Sequence, residues 1–374
     1  MANTAASKTI SHGKWTFDYR PNKFTYKMTP DSISENKFKL YDVNNSLDDL
    51  IVANYRKAAV VHKLIRNELR TKIHDSVLFT DITEYADELL KKYSAPICNQ
   101  TSGYAFPLGI SVNEVICHDT ANIGDTRTLK TNDVVKLDLG FHLNGCIIDS
   151  AFTMIVGEDQ VTKNFYAPLL DASADATYTG IAMSGADARL YEISEMISEV
   201  ISSYELEDGT KIVPVFGLGG HNILPYKVHG EKLILSVPHK TQKGLKMDEG
   251  EVYAIETYAS TGHGKPNQTG ITKCNHFMID NKISSNYEKL KGKEKNNKLL
   301  KWAMNDNKTL PFTQQWCSHI DLFEDSINYY VEKRGIVGFP PMVDTLGSKT
   351  SQFEHTIHIK ANGGVEIFSL GNDY

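Results

Sequence analysis

The dipeptide Asn144-Gly145 is the strongest constraint on how this chain folds. It sits in DLGFHLNGCIID, between two runs of β-formers bracketed by Asp138 and Asp149. Asn-Gly between apolar runs is the strongest short-range signal for a two-residue hairpin turn, because both positions take positive φ. The turn sets the register: Leu143 opposite Cys146, Gly140 opposite Asp149, Asp138 opposite Ala151. Side chains alternate along a strand, so one face carries Lys136, Asp138, Gly140, His142, Ile147, Asp149, Ala151 and Thr153. The other carries Leu137, Leu139, Phe141, Leu143, Cys146, Ile148, Ser150 and Phe152, nearly all core residues. The two aspartates become diagonal neighbours, about 7–8 Å or less apart. Gly140, opposite Asp149, is expected to leave room between them. A different turn would shift this register.

Two carboxylates that close repel, and one is driven to hold a proton. A divalent cation reverses that and turns both into favourable ligands. The question is whether the chain offers more of the same chemistry.

It does, about 110 residues later, in a local repeat. Phe106-Pro107-Leu108-Gly109 with His118 twelve residues beyond Phe106 is echoed by Phe216-Gly217-Leu218-Gly219 with His229 thirteen beyond Phe216. Asp133-Val134-Val135-Lys136-Leu137-Asp138 matches Glu251-Val252-Tyr253-Ala254-Ile255-Glu256 by chemical class. Each stretch follows two helix-like segments with apolar residues at helical spacing. Leu50–Leu69 and Ile82–Tyr93 precede the first. FYAPLLDASADATYTGI and LYEISEMISEVISSY precede the second. SGYAFPLGISVNEVICH, rich in Gly and Pro, reads as a loop before the first strand. We read a duplicated α/β unit, α+β in class, whose halves face each other with strand-borne carboxylates between them.

The second half carries an insertion. Asp138 and Asp149 are 11 residues apart, whereas the analogous Glu256 and Glu354 are 98 apart. The extra chain holds two helix-like stretches and seven lysines between 282 and 301. Such a run reads as a solvated helix face; its sharper reading is an electrostatic contact with an anionic partner such as ribosomal RNA. Residues 1–47, polar with isolated aromatics, are expected to form an extended or partly disordered leader. Residues 48–374 are expected to form a single domain with its helical insertion at about 279–343. The strands place Asp138, Asp149, Glu256 and Glu354 in half-buried settings, and His118, His221 and His229 stand in the segments before the strands. Four carboxylates with an imidazole suit a pair of metals roughly 3.5–4 Å apart. Oxygen-rich ligation leans toward Mn²⁺, Fe²⁺ or Co²⁺ without excluding Zn²⁺. His142, His355 and His358 read as packed or exposed histidines without a chemical role, and GLGGH lacks the continuation of a phosphate loop.

Charge and composition narrow the classes. A formal charge of -6 argues against a protein built mainly to coat DNA or RNA. Five scattered cysteines with no CxxC fit neither a disulfide framework nor a zinc knuckle and point to a reducing compartment. With no eighteen-residue apolar run and no apolar leader, the expectation is a cytoplasmic protein with no membrane partner. Nothing in the pattern demands more than a monomer.

AFPLGISVNEVICHDTANIGD, KLDLGFHLNGCIIDSAF, GGHNILPYKVHG, GEVYAIETYASTG, CNHFM, FPPMVD, QFEHTI and the closing GNDY together resemble a type 2 methionine aminopeptidase of the pita-bread fold. The resemblance runs from about residue 50 to the C-terminus, and the long insertion before the last carboxylate strand separates type 2 from type 1. It implies a pseudo-two-fold fold around a dinuclear metal site with ligands Asp138, Asp149, His221, Glu256 and Glu354, of which Asp149 and Glu354 approach both ions. It implies His118 beside the scissile amide, His229 near the scissile carbonyl, and Phe106, His276 and Phe339 lining the methionine pocket. Glu256 becomes the carboxylate that shuttles the proton. The implied substrates are nascent chains whose second residue is small. Gly219 stands where many relatives have Asn, and Phe339 where many have Tyr, so pocket polarity is expected to differ. Two other readings share the fold: an X-Pro aminopeptidase or dipeptidase, which normally carries a further N-terminal domain, and a non-catalytic ribosome-associated binding protein, which typically lacks metal ligands this chain retains.

Overall fold

A computed structural model describes residues 8–12, 15–19, 47–95, 102–268, 273–280, 294–307, 309–320, 323–361 and 363–374. Two short antiparallel strands, β1 (Lys8–His12) and β2 (Trp15–Tyr19), fall in the leader. Most of the leader and most of the Lys-rich stretch lie outside the described residues.

The first half begins with α1 (Leu47–Thr71) and α2 (Phe79–Ser94), followed by β3 (Ser102–Val112), β4 (Val115–Cys117), β5 (Val134–Leu143) and β6 (Cys146–Ile155). On α1, Ala58, Val61, His62, Ile65, Arg66 and Leu69 recur every three or four residues and are all buried, forming the stripe that packs on the sheet. The sheet runs β3-β5-β6. The stretch expected to be a loop is largely strand. Two register shifts, between Tyr104 and Phe106 and between Phe106 and Gly109, carry Pro107 and Gly109 within β3 while it stays paired with β5. Proline and glycine argue against a strand interior except at such irregularities, which composition does not reveal.

The second half repeats the plan with α3 (Gln160–Met183), α4 (Leu190–Ser202), β7 (Val213–Pro214), β8 (Gly219–Ile223), β9 (Leu233–Leu235) and β10 (Val252–Ser260). Then comes the insertion, with β11 (Phe277–Ile279), α5 (Glu294–Trp302), α6 (Phe323–Glu332), β12 (Ile336–Gly338) and β13 (Met342–Val343). The half closes with β14 (Thr350–Ile359) and β15 (Val365–Ile367), and its sheet runs β15-β14-β10-β8-β9. So β8-β10-β14 answers β3-β5-β6, each trio backed by its own helix pair and apolar core. The insertion has a separate core built on Phe277, Leu299, Phe312 and Tyr330. No described helix is long and apolar enough to cross a membrane.

The two sheets meet where β6 lies beside β14, and hydroxyls make the join. Thr356 Oγ1 accepts from Asp149 N at 2.8 Å and donates to Asp149 O at 2.6 Å. Thr153 Oγ1 does the same to Gln352 N and O, at 2.8 and 2.7 Å. Two threonines thus satisfy edge groups that a backbone ladder would otherwise have to pair.

Candidate metal centre

The hairpin has the register that Asn144-Gly145 dictates. Asn144 and Gly145 take φ of 53° and 84°, and Gly140 faces Asp149 while Asp138 faces Ala151. The space at Gly140 has a different use from the one expected. A Cβ there would overlap the ring of Phe106, so the glycine seats an aromatic wall rather than an ion.

From the second half, Glu256 on β10 stands directly opposite Glu354 on β14, and Ala254 opposite His221. His221 was expected from a loop; it sits on β8, whose strand neighbours fix it beside β10. Gly219, two residues before it, has its Cβ position filled by the backbone of Ile234 to Ser236. The absence of a side chain there is matched by the close approach of β9, so an asparagine would not fit this backbone.

Asp149, His221 and Glu354 offer ligand atoms that all lie within 4.8 Å of one another. His221 Nε2 is 3.7 Å from both Asp149 Oδ2 and Glu256 Oε1. Asp138 Oδ1, Asp149 Oδ1 and Glu354 Oε2 are buried and have no hydrogen-bond partner. Lys136, on the same strand face, is turned to the carbonyl of Asn113 at 2.9 Å. No lysine or arginine ion pair to these four carboxylates occurs among the described residues. Burial therefore raises their affinity for protons: Asp138 rises to about 7 and Glu256 to about 8, with Asp138 adding to the shift of Glu256. Asp149 and Glu354 also rise well above the usual range, through burial and then the neighbouring carboxylates. Burial pushes His221 down to about 4, so its ring is neutral and free to ligate. Orphaned carboxylate oxygens around a neutral imidazole are the donor set of a divalent cation site.

The centre forms the floor of a cavity of about 440 Å³, within the usual range for small-molecule sites. His118 stands at one side with φ of 66°, a left-handed conformation uncommon for a residue with a side chain. Its ring centre lies 6.0 Å from that of His276 and 5.9 Å from that of Phe339, the latter pair edge to face. With Phe106 these close an apolar end; His276 is anchored through Nε2 to Pro107 O at 3.3 Å. Burial holds His118 neutral, with its pKa near 4. His229 stacks on His221 at 3.7 Å between ring centres while its outer face is open to the cavity. All ten residues singled out in the sequence line this one cavity.

One participant was missed. Gln352, two residues before Glu354 and so on the same face of β14, reaches Asp138 and Glu256 with its amide. That parity was the available signal.

The sequence pattern of metallopeptidase family M24 matches residues 53–287. The chain is 35% identical over 328 residues to methionine aminopeptidase 2 of Candida albicans, covering 86% of this chain and 70% of that one. Among solved structures, a thermophilic Arx1 superposes with a TM-score of 0.73 at 14% identity, covering 87% of this chain and 91% of that one. A methionine aminopeptidase from Thermotoga maritima does so with a TM-score of 0.56 at 19% identity, covering 93% and 100%. At these identities the two structures speak for the fold alone.

Proposed function

This chain belongs to metallopeptidase family M24, with the methionine aminopeptidases as its relatives, and from that premise we propose how its residues carry out metal-dependent removal of an N-terminal methionine. The observation that carries the reading is the cage of buried, unpartnered carboxylate oxygens on the floor of a cavity with one apolar end.

Asp138, Asp149, His221, Glu256 and Glu354 would hold two divalent cations. Such ions supply Lewis-acid polarisation of the scissile carbonyl and a water acidic enough to yield hydroxide near neutral pH. Glu256 accepts the proton of the attacking water and later delivers it to the leaving amine, the general base and acid in turn. His229 donates toward the oxygen that gains charge, a term that is often large in acyl transfer. His118 holds the nitrogen of the scissile amide. Phe106, His276 and Phe339 enclose the methionine side chain. Discrimination by an apolar pocket is worth about 1–3 kcal/mol per methylene, so norleucine-like first residues leak through.

The substrates in this reading are newly made chains with a small second residue, which places the enzyme in the cytoplasm. Release of free methionine from Met-Ala-Ser, beside Met-Leu-Ser and Ala-Pro-Ala, before and after chelation and add-back of Mn²⁺ or Co²⁺, tests it. Metal-dependent cleavage of Met-Ala-Ser alone is expected. Cleavage of Ala-Pro-Ala would move the protein to the proline-directed branch, and no cleavage with any metal would leave a binding protein.

A further inference from the structure

Gln352 is 1% exposed and sits on β14 between the two carboxylates that the halves contribute from β5 and β10. Its Nε2 lies 3.2 Å from Asp138 Oδ2, 3.1 Å from Glu256 Oε2 and 2.9 Å from Tyr258 Oη. A carboxamide nitrogen carries two hydrogens, and hydrogen bonds to carboxylates are the stronger, charge-assisted kind. The two hydrogens serve three oxygens, of which the Tyr258 hydroxyl is the neutral acceptor and Asp138 and Glu256 are the two the amide bridges. The reversed amide would aim its carbonyl oxygen at two carboxylates and is repelled.

We propose that Gln352 is a positioning residue that ties the outer ligand of one metal subsite to the outer ligand of the other and so couples the loading of the two ions. This rests on the two-cation reading above. The amide nitrogen contacts one oxygen of each carboxylate and leaves the other turned inward: Asp138 Oδ1, buried and unpartnered, and Glu256 Oε1, 3.7 Å from His221 Nε2. Asp138 comes from the first half and Glu256 from the second, so the amide spans the join between the sheets. The choice of residue follows from charge. A lysine or arginine here would neutralise the carboxylates and compete with the cations; an apolar side chain would leave Asp138 Oδ2 without its donor. A neutral double donor orients both and leaves their charge for the ions.

The test is calorimetric titration of the metal-free protein with Mn²⁺, together with Co²⁺ absorption in the visible. Gln352→Met keeps the shape and removes both donors. It is expected to weaken at least one binding step by about 10–100-fold, the range typical of groups that orient metal ligands, and to change the Co²⁺ spectrum. Gln352→Asn retains an amide too short to reach both carboxylates and is expected to show the same loss, which covers the case in which the Met variant does not fold. Two ions bound by either folded variant with wild-type constants and spectrum would overturn the proposal while leaving the two-cation centre standing. A wild-type chain that binds no divalent ion would overturn both, so the two failures are distinguishable.

Discussion

Strands β6 and β14 each carry polar residues on both faces, and the two faces have opposite fates. Toward the cavity they turn Asp149 and Glu354, buried carboxylates with orphaned oxygens. One residue further along, on the other face, they turn Ser150 and His355 toward Arg66, whose side chain is wholly buried. That guanidinium grips Asp373 with two bonds of 2.7 and 2.6 Å, reaches Ser150 Oγ at 3.2 Å and Ser369 O at 3.0 Å, and lies 4.2 Å over the ring of Tyr374. His355 is bound on both nitrogens, to Ser369 Oγ at 2.8 Å and Tyr178 Oη at 3.2 Å. Both clusters are buried and charged. One is closed by its own partners and the other is open, and only the open one calls for a ligand.

The largest separation of the two should come from Glu354→Gln. It removes one of four crowded carboxylates, so the metal-free protein is expected to melt no lower than wild type. Loss of a metal-activated water costs several kcal/mol, so kcat/KM should fall by roughly 10³-fold or more, with metal content falling in parallel. A sharp fall in the metal-free melting temperature would mean the cage is structural after all. The reverse pattern is expected of Arg66→Met. It leaves Asp373 only the more distant Arg70, whose Nη1 is 3.7 Å away, so the loss should fall at or below the about 3–5 kcal/mol of a broken buried pair, readable by urea unfolding. Adding Asp373→Asn should restore part of it. Metal stoichiometry in the folded fraction should remain that of wild type.

Acidity sharpens the contrast, because the clusters titrate with opposite signs. Asp138 near 7 and Glu256 near 8 sit above their unfolded values of about 4. The folded, metal-free state therefore holds those protons more tightly, and their contribution to stability is full below about pH 4 and declines as pH rises toward 8. Asp373 is opposite: although burial raises it, the guanidinium of Arg66 holds it below the usual carboxylate range. Its contribution is present at neutral pH and lost as pH falls through the acid range. The buried neutral histidines, His62, His118, His221, His276 and His355, oppose this below about pH 6.5, where only the unfolded imidazoles take up protons. Urea midpoints of the chelated protein should thus fall as pH rises from about 7 to 8, above the histidine range, and a saturating divalent cation should abolish that fall. An unchanged slope with metal present would place the titrating groups elsewhere.

How much of this was legible follows from how local each determinant is. The β5–β6 register was readable because two residues, Asn144 and Gly145, dictate the turn, and parity then places every side chain. Glu256 and Glu354 were found through the repeat, although 98 residues separate them, because the duplicated strand pattern carries the information. What failed was whatever depends on a distant neighbour. Nothing near Gly140 says that Phe106 will fill it, and Pro107 masks the strand character of β3 because bulges are tertiary accommodations. His355 read as a histidine without a chemical role, and it is packed in the closed cluster; its partners at 178 and 369 could not be read from the pattern around it. Gln352 shares its strand face with Glu354 by parity, but a lone glutamine there gains a chemical meaning only once the carboxylates it touches are in place.

The smallest effect is expected at the join that both clusters share. Thr356 Oγ1 pairs with the backbone N and O of Asp149, so Thr356→Val leaves a buried donor and acceptor unsatisfied without touching either cluster's side chains. Each such orphan costs about 1–3 kcal/mol, and partial relaxation of the edge brings the total toward the lower end. The urea midpoint should drop by that amount. Because Asp149 is held through its own backbone here, metal affinity should fall slightly as well, while the Arg66 cluster, tied through Ser150 Oγ to Glu354 O at 2.8 Å, keeps its contacts. Equal loss of metal affinity and of the acid-side stability supplied by Asp373 would show that the two faces of β6 and β14 move as one unit, and the contrast between an open and a closed cluster would then describe their chemistry but not their mechanics.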